Sequence, residues 1–345
     1  MGGNALAPFG ARRVDAKTAK AVTRKMFDVM SAIAVKHGLV LNMHLIPAYR
    51  TKPDFGDLDF VVDSRFMQGI DRTTLLAELK EHFNADIPFN NGGTVLSVGV
   101  PLEEGGCLQV DLIWTAEENI NTSLAYFAWN DLGNLMGRIA HKFGLKYGHD
   151  GLWIVLRDGT YEFGKILITR DTAEALTFMG YDPVRWLEGF ETRDDIYRFT
   201  ASTRFFNKAI FELDNRNHTA RVREKKRPVY MEFLEWVKNP PFELAEYEFP
   251  ADKSLNLPRL FEVFPHVKPI YGKEWAKLEE QKYLKTRFNA SLVKEITGRE
   301  DRALGDYMKH FKANHWSALA DIRNMSDDQV RDLIVRVEKE LTEMA

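Results

Sequence analysis

Gly56-Asp57-Leu58-Asp59-Phe60-Val61-Val62 sets two acids at alternate positions of an apolar run, and about fifty residues later Leu108-Gln109-Val110-Asp111-Leu112-Ile113 sets a third acid in another. On a β-strand alternate side chains share a face, so Asp57 and Asp59 project together while Leu58 and Phe60 face the opposite way. If the strand carrying Asp111 pairs beside them, three carboxylates converge. Acids that otherwise repel one another are best explained at one spot by divalent cations. That is the arrangement needed for two-metal phosphoryl transfer.

Working outward, residues 15–37 place Val22, Met26, Phe27, Val29, Met30, Ile33 and Ala34 at helical spacing, with Gly38 as terminator. Residues 39–49 read as an apolar strand, Pro53-Asp54-Phe55-Gly56 as a turn, and 57–62 as the next strand. Residues 73–83 have helical periodicity, Asn90-Asn91-Gly92-Gly93 is a turn, and 94–100 and 107–114 are two further strands. The order of helices and strands gives an α/β or α+β layer that could place the acids on neighbouring strands, and α+β, a mixed sheet with flanking helices, is the expected class. Beyond it, 130–143 reads as a helix and 152–156 with 165–169 as a short β unit, and helices dominate from 171 onward. Pro240-Pro241 and the run 249–269, with Pro250, Pro258 and Pro265, mark a connector before a final helical segment at roughly 273–345.

Composition bounds the function. The chain has 345 residues, 45% hydrophobic and 28% charged, enough for two or three domains with full cores. No apolar run is long enough to span a bilayer, and the start Met1-Gly2-Gly3-Asn4-Ala5-Leu6 fits neither a secretory signal nor the myristoylation pattern. The expected location is the cytoplasm. A single cysteine, Cys107, excludes an internal disulfide and any cysteine-based zinc cluster and is expected to pack. With a formal net charge of −3 there is no global attraction to nucleic acid, so a polynucleotide site must be a local patch.

A helix, a strand, a turn, an Asp-x-Asp strand preceded by Gly56 and a third acid on a later strand together resemble the nucleotidyltransferase superfamily of DNA polymerase β, poly(A) polymerases and CCA-adding enzymes. The resemblance covers about residues 20–115. A weaker one continues through Gly137-Arg138-Ile139-Ala140-His141-Lys142-Phe143-Gly144-Leu145-Lys146-Tyr147, and a faint one touches Thr297-Gly298 and Leu304-Gly305. It implies a nucleotidyltransferase catalytic domain at 1–160, a mainly helical middle region at 161–250 and a Pro-rich connector with a helical C-terminal region at 251–345. One departure stands out. Where these enzymes carry Gly-Ser or Gly-Gly before the Asp-x-Asp strand, this chain has Ile46-Pro47-Ala48-Tyr49-Arg50-Thr51-Lys52, and Pro47 supplies no amide hydrogen.

The resemblance implies that Asp57, Asp59 and Asp111 coordinate two Mg2+ or Mn2+ ions. It further implies that an acceptor hydroxyl attacks the α-phosphate of an NTP and that pyrophosphate leaves. Ala48, Arg50, Thr51 and Lys52 are the expected triphosphate contacts, with Arg50 and Lys52 offsetting charge on the β- and γ-phosphates. Lys142 and Tyr147, in a loop flanked by His141 and His149, are further nucleotide candidates. Asp54-Phe55-Gly56 matches the protein-kinase magnesium motif, but no His-Arg-Asp loop or Val-Ala-Ile-Lys strand accompanies it. No P-loop, dinucleotide glycine fingerprint, EF-hand, nucleophile elbow or His-Glu-x-x-His pair is present in the sequence.

For the acceptor, Arg216, Arg221, Arg223, Lys225, Lys226 and Arg227 lie close together near Phe205, Phe206, Tyr230, Phe233 and Trp236. Basic residues grip phosphates and aromatics stack bases. The opposing reading is a solvated charged face over a helix whose Tyr230, Phe233, Leu234 and Val237 point into a core. The favoured expectation is nucleoside monophosphate transfer to a polynucleotide 3′ hydroxyl, RNA or tRNA first. Transfer to a protein or small-molecule hydroxyl, or a non-catalytic binding protein on the same fold, are the alternatives.

Overall fold

In the computed structural model, which describes residues 5–315 and 321–343, the alternating segments form a mixed five-stranded sheet. Strands are numbered in chain order: β1 (Val14–Asp15), β2 (Met43–Leu45), β3 (Asp54–Phe55), β4 (Asp57–Asp63), β5 (Phe89–Gly92), β6 (Val95–Pro101), β7 (Cys107–Thr115), β8 (Leu145–Gly148), β9 (Gly151–Asp158) and β10 (Tyr161–Thr169). The main sheet runs β2-β4-β7-β6-β5, with β4 and β7 parallel and the other neighbours antiparallel. A parallel pair needs a crossover connection, which here consists of the helix Arg72–Phe83 and the β5–β6 hairpin.

Helices cover one face of this sheet. Leu58, Phe60 and Val62 of β4, Val98 of β6 and Val110 and Leu112 of β7 share a core with Met26, Met30 and Ile33 of the helix Ala16–Lys36 and with Leu75 and Leu79 of Arg72–Phe83. Each fully buried side chain of this size contributes roughly 1.5–3 kcal/mol. The odd-numbered positions of the same strands therefore face the other way: Asp57 and Asp59, Ser97, Gln109 and Asp111. Both covering helices start at an aspartate cap. Asp15 accepts from the Thr18 amide at 2.7 Å and Asp71 from the Thr74 amide at 2.9 Å.

Two local expectations change. Of residues 39–49 only Met43–Leu45 joins the sheet, closed by the Ile46 amide donating to the Asp59 carbonyl at 2.9 Å. Pro47 cannot extend the ladder, and its carbonyl instead accepts from the Trp129 amide at 2.7 Å. The expected turn at 90–93 is mostly edge strand β5, paired as Asn90 with Ser97 and Asn91 with Leu96. The reversal moves on to Gly93, whose φ of +69° suits glycine.

A three-stranded sheet of order β10-β9-β8 follows, with the helix Leu132–Lys142 against β8. By its contacts the chain divides into two compact units, residues 1–156 with 165–265, and residues 157–164 with 266–345. The changeover at Pro265 falls inside the Pro-rich run. The second unit has a core of its own, in which Phe288, Tyr307 and Phe311 pack with Val330, Ile334 and Val337 and the Tyr307 hydroxyl donates to the Ile334 carbonyl at 3.1 Å.

Candidate metal centre

Parallel pairing sets Asp59 directly opposite Asp111 and Asp57 opposite Gln109. The three carboxylates each offer an oxygen within 4.8 Å of the others. Two oxygens sharing one Mg2+ at ~2.1 Å stand about 3 to 4 Å apart, so modest side-chain rotation closes the set on an ion. Asp111 is buried, whereas Asp57 and Asp59 are partly open.

The site is electrostatically unfinished. Burial, reinforced by the charges of Asp57 and Asp111, pushes the Asp59 carboxyl up to about 7, and its Oδ1 is buried with no hydrogen-bond partner. Burial also raises Asp111, opposed by hydrogen bonds from Ser97 and Gln109. Asp63, four positions beyond Asp59 on the same strand β4, is handled differently. It is buried but meets the Arg65 guanidinium at 2.6 Å, which holds its carboxyl below the usual range. An arginine completes Asp63, while the triad is left with an orphaned oxygen. Buried acids without such a partner need a cation or a proton.

Among the described residues, Lys52 brings a positive charge into the field of the acids. Burial lowers its ammonium, against the attraction of Asp57 and Asp59, and its Nζ lies 4.5 Å from the centre of the Phe55 ring. The rest of the loop is tied sideways. Arg50 pairs with Glu191 at 2.6 Å and donates to the Glu188 carbonyl, and its amide donates to the Phe190 carbonyl. The Thr51 hydroxyl and amide both donate to the Glu191 carbonyl, at 2.6 and 2.9 Å. Ala48 is partly exposed beside Pro47. Consequently Lys52 is left to interact electrostatically with the acids, while Arg50 and Thr51 fasten the loop to residues 188–191.

That fastening depends on tight backbone geometry. Gly189 has φ +76°, and a Cβ there would stand 2.6 Å from the Trp129 ring. Trp129 and Asn130 themselves take φ of +61° and +62°, a left-handed conformation that side chains disfavour and that concentrates at functional sites. The Pro47–Trp129 hydrogen bond links this strained pair to the loop leading into β4.

The other named residues lie apart from these contacts. Lys142 ends its helix, partly exposed, and Tyr147 is buried on β8 with its hydroxyl unpartnered and edge-on to the Tyr126 ring. Burial raises the Tyr147 hydroxyl far above its usual range. The basic segment is organised around an acid, Glu224, which is fully buried. Arg223 donates to it at 2.6 Å, Arg216 at 3.5 Å and Asn134 at 3.1 Å, while Arg227 lies 3.7 Å away and pairs with Asp131 at 2.6 Å. Arg216 also donates to the Tyr230 hydroxyl at 3.0 Å. Lys225 and Lys226 are exposed and Arg221 is partly so. Tyr230 and Phe233 are buried, as their helical spacing predicts.

Sequence reasoning missed Gln109. Its Nε2 donates to both oxygens of Asp111, at 3.0 and 3.2 Å, and its Oε1 accepts from the Leu6 amide at 3.1 Å. A glutamine two positions before an acid, and so on the same face of an otherwise apolar strand, was the available signal. The Glu188–Glu191 loop and the Trp129–Asn130 pair carried no signal, since tertiary contacts define them. No protein-family model matches the chain, and no curated protein matches it. Among the described residues, no helix is long and apolar enough to cross a membrane.

Proposed function

We propose that the chain is a metal-dependent nucleotidyltransferase that moves a nucleoside monophosphate from an NTP to a hydroxyl acceptor and releases pyrophosphate. The observation that carries this reading is the Asp57–Asp59–Asp111 cluster on adjacent parallel strands, with an orphaned carboxylate oxygen at its centre. The donor set is all carboxylate oxygen, which suits hard cations such as Mg2+ or Mn2+ over softer metals. When bound, such ions supply Lewis acidity at the α-phosphate and lower the acceptor hydroxyl's pKa.

The protein's part is positional. Asp57 and Asp59 would hold the ions from β4 and Asp111 from β7, with Gln109 fixing the Asp111 carboxylate in one orientation. Lys52, a cation of this loop that the acids attract, would neutralise phosphate charge as pyrophosphate departs. Arg50 and Thr51 act through the loop they brace. The nucleotidyltransferase-type sheet belongs to this proposal together with the activity.

A polynucleotide 3′ end, RNA or tRNA, is the first acceptor we propose, on the exposed Lys225 and Lys226 and the partly exposed Arg221. Glu224 favours the second reading, a protein or small-molecule hydroxyl, because it engages Arg216 and Arg223 and withdraws them from phosphate contacts. The test is transfer of α-labelled NTPs, each in turn with Mg2+ or Mn2+, to total RNA, tRNA and single-stranded DNA, beside Asp57→Ala/Asp59→Ala. Label on nucleic acid from the wild type alone supports the first reading, and a steep loss of binding with salt accompanies it. Label confined to protein or small molecules moves the acceptor to the second. No metal-dependent transfer to any acceptor overturns both.

A further inference from the structure

We infer that His310, His315 and Glu340 form a second metal site, of zinc type, in the C-terminal helical unit. The three side chains each offer a donor atom within 4.8 Å of the others. His310 lies in the last turns of the helix Asp301–Asn314, His315 caps that helix, and Glu340 comes from the helix Asp327–Glu343. Two imidazoles and a carboxylate are a borderline ligand set that favours Zn2+ over the hard ions suited to the aspartate triad.

Two features separate this cluster from an ordinary ion pair. The His315 Nε2 and a Glu340 carboxylate oxygen are 2.7 Å apart, which by itself explains only those two. His310 is the additional member: its Nε2 is buried and has no hydrogen-bond partner. Its other nitrogen, Nδ1, lies 3.1 Å from the Asn314 side-chain amide. That amide nitrogen also donates to the His310 carbonyl at 3.1 Å, so binding a metal through Nε2 puts the proton on Nδ1 and turns the Asn314 amide away from both contacts. The support beneath is rigid, because Phe311, adjacent in sequence to His310, stacks on Phe288 at 4.2 Å in the core of the unit. Three protein ligands leave a fourth tetrahedral position for water. The ion would pin the end of one helix to the other and stabilise the folded unit, since a ligand that binds only the native state raises its stability.

The test uses the full chain, stripped with chelator and then given Zn2+ with Mg2+ in large excess to occupy the carboxylate triad. We expect a single Zn2+ retained per chain after desalting, a raised Tm, and the same result from Asp57→Asn/Asp59→Asn. His310→Ala and Glu340→Gln lose the retained zinc and the rise in Tm while keeping the metal-free Tm of the wild type. As a readout that needs no variant, Co2+ in the wild type gives intense visible d–d bands of a four-coordinate site with nitrogen ligands. Equal zinc retention by wild type and His310→Ala, no retained zinc in the wild type, or weak bands of a six-coordinate Co2+ would overturn the inference. None of these results depends on nucleotidyl transfer, so the two proposals fail separately.

Discussion

Asp59→Asn in the metal-free protein isolates the charge stored at the triad. In the folded chain the Asp59 carboxyl titrates at about 7 against 3.8 for the free side chain, chiefly through burial. The folded state thus keeps a proton that the unfolded state has already released, so stability falls as pH rises through this window and levels off above about 7. Roughly two of the three pH units lie above pH 5, and at ~1.4 kcal/mol each the wild type should lose about 2–3 kcal/mol between about pH 5 and pH 8. Asparagine carries no titrating charge there. The assay is urea denaturation with chelator present, wild type against Asp59→Asn across that range, with the difference between the two cancelling the titrating groups outside the triad. The wild type should fall relative to the variant as pH rises, and saturating Mg2+ should reverse the ranking by giving the ionised carboxylate a partner. Parallel pH profiles for the two proteins would refute the reasoning, since they would mean that Asp59 ionises without cost.

Other outcomes follow from single contacts. Gln109→Ala removes both hydrogen bonds to Asp111 and should weaken Mn2+ binding by roughly 10–100-fold, read by titration with electron paramagnetic resonance; unchanged affinity would remove Gln109 from the site. Glu224→Gln leaves the buried Arg216 guanidinium uncompensated and should cost about 3–5 kcal/mol in denaturant unfolding, while an effect below ~1 kcal/mol would mean that Glu224 is not the organiser of the basic segment. Gly189→Ala meets both a positive φ and the Trp129 ring and should cost at least about 1 kcal/mol, measured as a lower Tm; an unchanged Tm would show that the 188–191 loop is not held against Trp129. Metal affinity at the triad should fall as pH drops below about 7, because binding must displace the Asp59 proton, and a flat affinity from pH 6 to pH 8 would contradict the raised titration.

The sequence made the sheet legible because period two is a strong signal where one face is buried. Leu58, Phe60 and Val62 point to the core, so Asp57 and Asp59 must point away. The helices Ala16–Lys36 and Arg72–Phe83 were equally clear from the spacing of their apolar residues, while their aspartate caps are seen only in the structure. What sequence could not supply was the pairing of β4 with β7, which rests on contacts made across the helix and hairpin between them. Nor could it tell a solvated basic run from one folded around its own acid. Glu224 sits inside the run Arg223-Glu224-Lys225-Lys226-Arg227, and only the packing of the helix His218–Glu224 turns its carboxylate inward to Arg216 and Arg223. The same holds for Arg50 and Thr51, whose partners lie about 140 residues away on a loop without any motif.

Everything proposed for the site requires metal ions between Asp57, Asp59 and Asp111. Crystals grown with Mn2+ and a non-hydrolysable NTP, measured at a wavelength where manganese scatters anomalously, test this most directly. The expected result is anomalous density bridging the three carboxylates, with the triphosphate on the side of Lys52. Well-ordered nucleotide with no manganese at the carboxylates, or manganese bound only elsewhere, would contradict the account.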